Sequence, residues 1–205
     1  MDFKKDFKEQ YQPKTTPSVV EIPEMVIIAV DGVGDPNTSE AYKTAIETLY
    51  GLSYAIKMGN KAVLEYVVGP LEGFWDASGA FEGGGAPVLD KSKFAWTSFI
   101  RQPDFVNREV FEKAAAAVAK KKPELDLSKA RLETIAEGLC VQVMHIGPFD
   151  TEYATVALLD QYAADNGYIM DFSDKRRHHE IYLSDPRKVA PEKMKTIIRH
   201  PVRRA

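Results

Sequence analysis

A continuous apolar run, Met25–Val30, is the first strong feature of the hydrophobic pattern, and Asp31-Gly32 ends it. Such a run predicts a buried strand. Apolar residues then recur at helical spacing as far as Gly59-Asn60, where a helix is expected to end. Asn37 or Thr38 is predicted to cap this helix, because either side chain can accept a hydrogen bond from the first turn.

Two more strands and a second helix follow in the pattern. Alternation predicts strands at residues 62–68 and 94–101. Asn107 is predicted to cap the second helix, which runs into a cluster of lysines. Between the two strands, Gly79 and the triple glycine at 83–85 predict a mobile loop.

The pattern then starts again at a constant offset, so that Ile22 matches Ile135 and Gly34 matches Gly147. Each copy reads as strand, helix, strand, strand and a further helix, which in the second copy is short, at Pro191–Lys195. We therefore predict an α+β fold, a tandem strand-helix-strand-strand repeat with pseudo-twofold symmetry that encloses a central ligand cleft.

The same pattern predicts the domain boundaries. Two prolines within residues 1–18 favour an extended N-terminal arm. The rest, 19–205, is predicted to be one domain, with the first repeat at about 19–123 and the second at about 132–205.

Composition and charge narrow the function classes. With 44% hydrophobic and 28% charged residues, the 205-residue chain is typical of a globular protein. A formal net charge of -3 gives no general attraction to nucleic acid or to an anionic membrane. Cys140 is the only cysteine, which excludes an intrachain disulfide and fits a reducing compartment. The sequence shows no signal peptide and no membrane-spanning run, so we expect a cytoplasmic protein.

The last predicted strand carries the strongest candidate for chemistry. Successive side chains of a strand point to opposite faces, so His178, Glu180 and Tyr182 share one face. A carboxylate on a sheet is costly unless it is hydrogen-bonded, paired with a cation or open to water. Glu180 is therefore the lead candidate. A solvated strand face, with Glu180 paired to Arg176 or Lys175, stays open as the alternative.

Aromatic residues are the candidates to join Glu180. The strand of Glu180 is taken as the last of the second copy and the strand of Trp96 as its match in the first, which would place an acid and a tryptophan on opposite walls of one cavity. Aromatic faces bind flat, electron-poor or cationic ligands by stacking and cation–π attraction. The further candidates are Tyr66, Glu72, Trp75 and Tyr182. Plain core packing stays open for each aromatic residue.

No metal or other cofactor is predicted. His178, His179 and Glu180 are adjacent in a strand, so they cannot all point to one ion. The triple glycine does not lead from a strand into a helix as a phosphate-binding loop does. Cys140 lies in an apolar run and is expected to be buried rather than nucleophilic.

Five motifs in order resemble the stand-alone GyrI-like small-molecule-binding proteins, and the similarity covers nearly everything after residue 18. They are Gly69–Trp75, Phe94–Trp96, Arg101–Val106, Glu137–Pro148 and His178–Pro186. The resemblance implies the same duplicated fold. Relatives include ligand-sensing domains of multidrug-responsive transcription regulators, in which a glutamate in the cleft faces bulky, often cationic aromatic drugs. Glu180 matches that glutamate.

The resemblance also implies an activity. Some stand-alone members are hydrolases of cyclopropane-bearing aromatic DNA-alkylating compounds and use an aromatic cage. Glu180 would deprotonate or hold the attacking water, and Tyr182 would donate to a carbonyl that gains negative charge. Phe74 stands where many relatives have tryptophan, which would alter the cage without abolishing it. The implied ligand-binding residues are Tyr66, Glu72, Phe74, Trp75 and Trp96.

Two other function classes stay open. The chain could bind or sequester amphipathic drugs without turnover, or it could be an interaction protein that contacts a partner such as gyrase. Residues 1–18 are too short and proline-broken for a helix-turn-helix, so transcriptional control by this chain alone is not expected. The expected partners are planar aromatic small molecules, with no direct nucleic-acid or membrane contact and an open oligomeric state.

Overall fold

The computed structural model describes residues 1–76, 81–82 and 88–205, so the loop predicted at Gly79 and 83–85 lies outside the described residues. The described helices are α1 (Phe3–Asp6), α2 (Lys8–Tyr11), α3 (Glu40–Gly59), α4 (Arg108–Lys121) and α5 (Glu152–Asp165). The described strands are β1 (Ser18–Ile22), β2 (Met25–Val33), β3 (Leu71–Asp76), β4 (Phe81–Glu82), β5 (Val88–Leu89), β6 (Ala95–Gln102), β7 (Arg131–Ile135), β8 (Gly138–Ile146), β9 (Tyr168–Met170), β10 (His178–Tyr182) and β11 (Lys195–Arg204). Helices combined with antiparallel strand pairs confirm the predicted α+β class.

The chain forms two compact units. The first consists of Met1 and residues 25–69 and 73–135, and the second consists of residues 2–24, 70–72 and 136–205. Each unit is built from antiparallel strands that carry a long helix.

In the first unit, the strands lie in the order β7-β2-β6-β3. Helix α3 packs against β2 and β6, and α4 packs against α3. The buried apolar side chains of α3 recur at helical spacing, which confirms the predicted helix and its end near Gly59. They are Ala45, Leu49, Leu52 and Ile56. The predicted strand at 94–101 and the cap at Asn107 are also confirmed.

Two local predictions in this unit are wrong. Ser39 caps α3, and its Oγ accepts a hydrogen bond from the Tyr42 amide at 3.3 Å. Asn37 is held one turn earlier by the Asp35 carboxylate. Residues 62–68 form no strand, because the Asn60 carbonyl accepts the next amides in a turn. The strand expected there is β3, which begins at residue 71.

Gly32 on β2 is a position where an added side chain would be poorly tolerated. It lies opposite Trp96 in the β2–β6 register, and a Cβ there would lie 2.2 Å from Cζ2 of the indole. Trp96 is only 2% exposed and has little room to move. We expect Gly32→Ala to lower the free energy of unfolding by about 1–3 kcal/mol in urea titrations, since overpacking a dense core carries that cost.

Gly59→Ala is the matched control, because a Cβ at Gly59 meets no atom within 4 Å. This variant should be as stable as the parent or slightly more stable. Equal stability of the Gly32→Ala and Gly59→Ala proteins would contradict the close packing of Trp96 on β2.

In the second unit, the strands lie in the order β1-β8-β11-β10, and β9 pairs with the end of β11. Helix α5 packs on β8, β9 and β11. The core between them is aliphatic and fully buried. It comprises Val141, Val143, Leu159, Ala163, Ile198 and Val202.

Strand β11 corrects the predicted end of the second copy. The helix predicted at Pro191–Lys195 is a single 3-10 turn over Pro191–Lys193, and ten residues of strand follow it. The strand was missed because Arg199 and His200 interrupt its apolar pattern, although both are buried. The strand of Glu180 is therefore not the last of its copy, so its predicted match with the strand of Trp96 is wrong. The enclosed cleft stays a prediction.

The predicted extended arm over residues 1–18 is also wrong. Asp2 caps α1 by accepting a hydrogen bond from the Lys4 amide, and α2 follows directly. Phe3 and Tyr11 are 1% and 2% exposed, so this segment contributes to the core of the second unit. The signal was present in the sequence, because Phe3, Phe7 and Tyr11 are each four residues apart, as on one helix face.

Candidate functional site

Strand β10 places its side chains as alternation predicts. His179 and Ile181 are fully buried, whereas His178, Glu180 and Tyr182 on the other face are partly exposed. One face of this strand therefore belongs to the interior of the second unit, and the other can meet a small molecule.

Glu180 is held by its two strand neighbours. Tyr182 donates a hydrogen bond from its hydroxyl to Glu180 Oε2 at 2.8 Å, and His178 Nε2 lies 2.9 Å from Glu180 Oε1. The Glu180 side chain is 14% exposed. Arg176, which could have neutralised Glu180 on a solvated face, instead pairs with Asp171. The carboxylate is thus oriented by its neighbours and largely buried, with a small part of the side chain exposed.

Glu152, the first residue of α5, is a second carboxyl group beside Glu180. Burial and the negative charge of Glu180 raise the pKa of Glu152 to about 9, although Thr196 donates a hydrogen bond to it. Glu152 is 9% exposed, and its Oε1 has no hydrogen-bond partner. At neutral pH Glu152 therefore keeps its proton. The sequence did not indicate this, because an acidic residue in a first helical turn usually faces solvent.

Two histidines and an aspartate extend the hydrogen bonding behind Glu180. His178 Nδ1 lies 2.7 Å from His200 Nε2, and His200 Nδ1 lies 2.8 Å from Asp160 Oδ1 on α5. His200 is buried, whereas the Asp160 side chain is 48% exposed. The sequence could not bring these residues together, because His200 lies on the strand that it failed to predict.

Two partly exposed phenylalanines flank this group. Phe149 meets Tyr182 edge to face at a centroid distance of 5.7 Å, and Phe172 meets His200 at 5.1 Å. Their exposed fractions are 39% and 51%. Exposed aromatic rings beside polar groups are suited to stacking a planar ligand.

The predicted tryptophans lie in an aromatic cluster of the first unit. Tyr42 meets Trp96 edge to face at 5.0 Å and Trp75 at 5.9 Å, and Phe94 completes the cluster beside Trp75. Trp75 is half-buried, whereas Trp96 is almost fully buried. Their contact with a ligand stays a prediction.

Phe74 and Tyr66 lie in the core of the first unit. Phe74 packs against Phe99 at 4.8 Å, and Tyr66 packs against Phe105 at 6.3 Å. Burial raises the pKa of Tyr66 to about 12, so this phenol stays neutral. Core packing accounts for both positions, and their role in ligand binding stays a prediction.

Glu72 belongs to what we refer to as the buried ion cluster, formed with Glu137, His179 and Arg199 in the second unit. Glu137 lies 3.0 Å from both His179 Nδ1 and Arg199 Nη1, and Glu72 lies 3.1 Å from His179 Nε2. Tyr11 donates to Glu72 at 2.9 Å. All of these side chains are at most 2% exposed.

The charges in the buried ion cluster support one another. Burial alone would raise the pKa of Glu137, but the positive charges of His179 and Arg199 outweigh it and lower this pKa to about 2. The two carboxylates raise the pKa of His179 despite its burial. The buried ion cluster thus brings together two acidic side chains, a histidine and an arginine in the interior of the second unit. Sequence alternation had placed His179 on the correct, inward face, and the role of Glu72 in ligand binding stays a prediction.

A surface depression and Cys140 are less suited to binding or catalysis than the face of β10 that carries Glu180. A depression of 450 Å³ in the second unit is lined mainly by apolar groups and by guanidinium groups that already have partners, and Glu180 lies outside it. Its lining residues are Ala136, Glu137, Gly138, Leu139, Arg176, Val202, Arg203 and Arg204. Burial raises the pKa of Cys140 to about 12, which confirms its predicted burial and makes it a poor nucleophile.

In the part of the chain that the structure describes, no three histidine, cysteine, aspartate or glutamate side chains are grouped to hold a metal ion. None of the described helices is both long enough and apolar enough to cross a bilayer.

Comparison with known proteins identifies the family. The GyrI-like small molecule binding domain matches residues 102–203. A crystal structure of a hydrolase from Listeria innocua is 44% identical over 99% of this chain and 100% of that chain, with a TM-score of 0.89. The chain belongs to the GyrI-like family. It is a small-molecule-binding domain by that membership.

Two further solved structures are similar to this GyrI-like chain. A conserved protein of uncharacterized function from Listeria innocua is 46% identical over 99% of this chain and 100% of its own, with a TM-score of 0.90. The EcmrR C-terminal domain, 15% identical over 93% of this chain and 98% of its own, has a TM-score of 0.54 and shares the fold alone. No curated protein sequence gave a significant match.

Proposed function

We propose that this GyrI-like protein hydrolyses cyclopropane-bearing aromatic DNA-alkylating compounds, with Glu180 as the general base. The observation that carries the proposal is the Glu180 carboxylate, which is oriented by Tyr182 and His178 on the partly exposed face of β10. The resemblance of its motifs to those of cyclopropane hydrolases supports the substrate class. The Listeria innocua protein described as a hydrolase supports the reaction type.

The proposed reaction adds one water molecule across a strained carbon–carbon bond. The water oxygen attacks the ring methylene, and the electron pair of the breaking bond moves to the conjugated carbonyl oxygen. Glu180 takes one proton from the water as the oxygen bonds to the methylene, and it later releases this proton to solvent. The carbonyl oxygen becomes a phenolate, which takes one proton from solvent and ends as a phenol, so the net change is the addition of one water molecule. Because release of ring strain drives the reaction, the protein needs only to orient the water and to stabilise modest developing charge.

Tyr182 couples binding of the substrate to proton transfer from water to Glu180. In the free protein its hydroxyl donates to Glu180 Oε2. A substrate carbonyl that gains negative charge competes for that donor, and the hydroxyl then stabilises the carbonyl oxygen. Glu180 Oε2 is thereby released to accept a proton from water. Phe149, which packs edge to face on the Tyr182 ring, offers a face for the planar substrate.

A mass-shift assay under multiple turnover tests the proposal. A cyclopropane-bearing indole alkylator in excess over protein should gain the mass of one water molecule at a rate proportional to protein concentration. Stoichiometric protection of the compound without water addition would mean binding alone and would contradict the proposed reaction.

Replacement of Tyr182 by phenylalanine should lower kcat by about 100- to 1000-fold, because one donor to the developing oxyanion is lost. The change in KM should be small, since the ring and its contact with Phe149 remain. Steady-state kinetics with the same compound measures both constants. Tyr54→Phe is the control, because the Tyr54 side chain is exposed on α3. Equal kcat values for the two variants would rule out this role of Tyr182.

A further inference from the structure

A chain of hydrogen bonds leads from Glu180 to helix α5. His178 lies 2.9 Å from Glu180 through Nε2 and 2.7 Å from His200 through Nδ1. The other nitrogen of His200, Nδ1, lies 2.8 Å from Asp160 Oδ1. This series of hydrogen bonds has a carboxyl group at each end, and all of the hydrogen-bonding atoms between the two carboxyl groups are imidazole nitrogens. We refer to these four side chains as the histidine array.

The histidine array is one proton short of three hydrogen bonds when both imidazoles are neutral. Each of its three contacts needs one proton between two heavy atoms. A carboxylate supplies no proton, and a neutral imidazole carries a single N–H. Two neutral imidazoles therefore leave one contact without a proton. The three hydrogen bonds form together only when the array holds one extra proton, whichever group carries it.

The members of the histidine array differ in their surroundings. Asp160 is the most exposed of them, with 48% of its side chain open to solvent. His200 is buried under the edge of Phe172, and burial lowers its pKa. His178 is less buried and lies between His200 and the carboxylate of Glu180. Glu152, the other carboxyl group beside Glu180, adds no charge because it is protonated.

We infer that Asp160, His200 and His178 are positioning residues that hold one proton beside Glu180 and fix the orientation of its carboxylate. None of the three is placed to touch the reacting atoms. The kinetic consequence rests on the proposed function, whereas the proton count is a property of the free protein. As pH rises, the array loses the extra proton, one hydrogen bond breaks, and activity should fall.

Titration of histidine labelled with nitrogen-15 tests the inference in the free protein by NMR. His178 and His200 should titrate together in one step, with Nε2 of His178 and Nδ1 of His200 protonated below it. In Asp160→Asn, the amide oxygen can still accept from His200, but the negative charge is gone. The step should then move to lower pH by about one unit, as loss of a nearby opposite charge predicts.

Asp165→Asn is the matched control, since Asp165 is an exposed residue of the same helix whose side chain bonds only locally to Gln161. It should leave the step in place. The loss of kcat at high pH should move with the step in Asp160→Asn and stay unchanged in the control. If the protein shows no turnover, but His178 and His200 titrate together and Asp160→Asn moves that titration to lower pH, the proposed function is refuted and the histidine array is supported. Separate histidine titrations that Asp160→Asn does not move would overturn the array, whatever the turnover.

Discussion

Replacement of Glu180 by glutamine is expected to lower turnover of a cyclopropane substrate by about 10²- to 10⁴-fold, the usual contribution of a positioned general base. The amide keeps the size of the carboxylate, and its oxygen can still accept the hydrogen bond from Tyr182. It cannot take a proton from water. The loss should therefore appear in kcat, while the affinity for the substrate changes only a few-fold.

Two measurements separate loss of the base from loss of the fold. Binding of the substrate, followed by quenching of tryptophan fluorescence, gives the affinity without turnover. Thermal unfolding shows whether the variant remains folded. Glu192→Gln, at an exposed position in the turn before β11, should behave as the parent protein in all assays. Unchanged turnover in Glu180→Gln would remove Glu180 from the mechanism.

Replacement of Glu137 by glutamine should produce the largest loss of stability, about 3–5 kcal/mol in the free energy of unfolding at neutral pH. Glu137 is 2% exposed and balances His179 and Arg199, which are also buried. Removing one partner of a buried ion pair leaves the other charges uncompensated in a medium of low polarity. Urea titration monitored by circular dichroism measures the change.

The size of this effect should depend on pH in a defined direction. The pKa of Glu137 falls from 4.5 to about 2 on folding, so its stabilisation is fully present above 4.5 and is lost as pH falls towards 2. The stability difference between the parent protein and Glu137→Gln should shrink over that range. Glu112→Gln breaks an exposed pair with Arg108 and should cost below about 0.5 kcal/mol. A Glu137→Gln protein as stable as this control would contradict the role of the buried ion cluster.

Local pattern predicted much of the fold, because the strongest signals were short-range. The apolar run of β2 and the helical spacing of α3 follow from periodicity alone, and both are confirmed. The duplicated order of strand and helix was visible from residues such as Gly34 and Gly147, which hold positive φ angles of 126° and 145° at matching turns. These features depend on neighbours along the chain, so they need no tertiary information.

The parts that sequence could not predict depend on partners distant in the chain. Arg199 and His200 interrupt the apolar pattern of β11, so the sequence did not indicate a buried strand there. Their burial is tolerable only with Glu137 and Asp160 as partners. Glu152 looked like an ordinary residue of a first helical turn until its burial beside Glu180 was known. For Glu180, strand alternation correctly predicted that His178 and Tyr182 share its face. It left open whether Glu180 pairs with Arg176 or Lys175.

A single turnover in water labelled with oxygen-18 tests the central claim most directly. With protein in excess over a cyclopropane substrate, a general base at Glu180 delivers a solvent oxygen, so the product of the first turnover should carry the label and the protein should carry none. Unlabelled product together with label in the Glu180 carboxylate would show direct attack by Glu180 and would contradict the account, as would the absence of any water adduct.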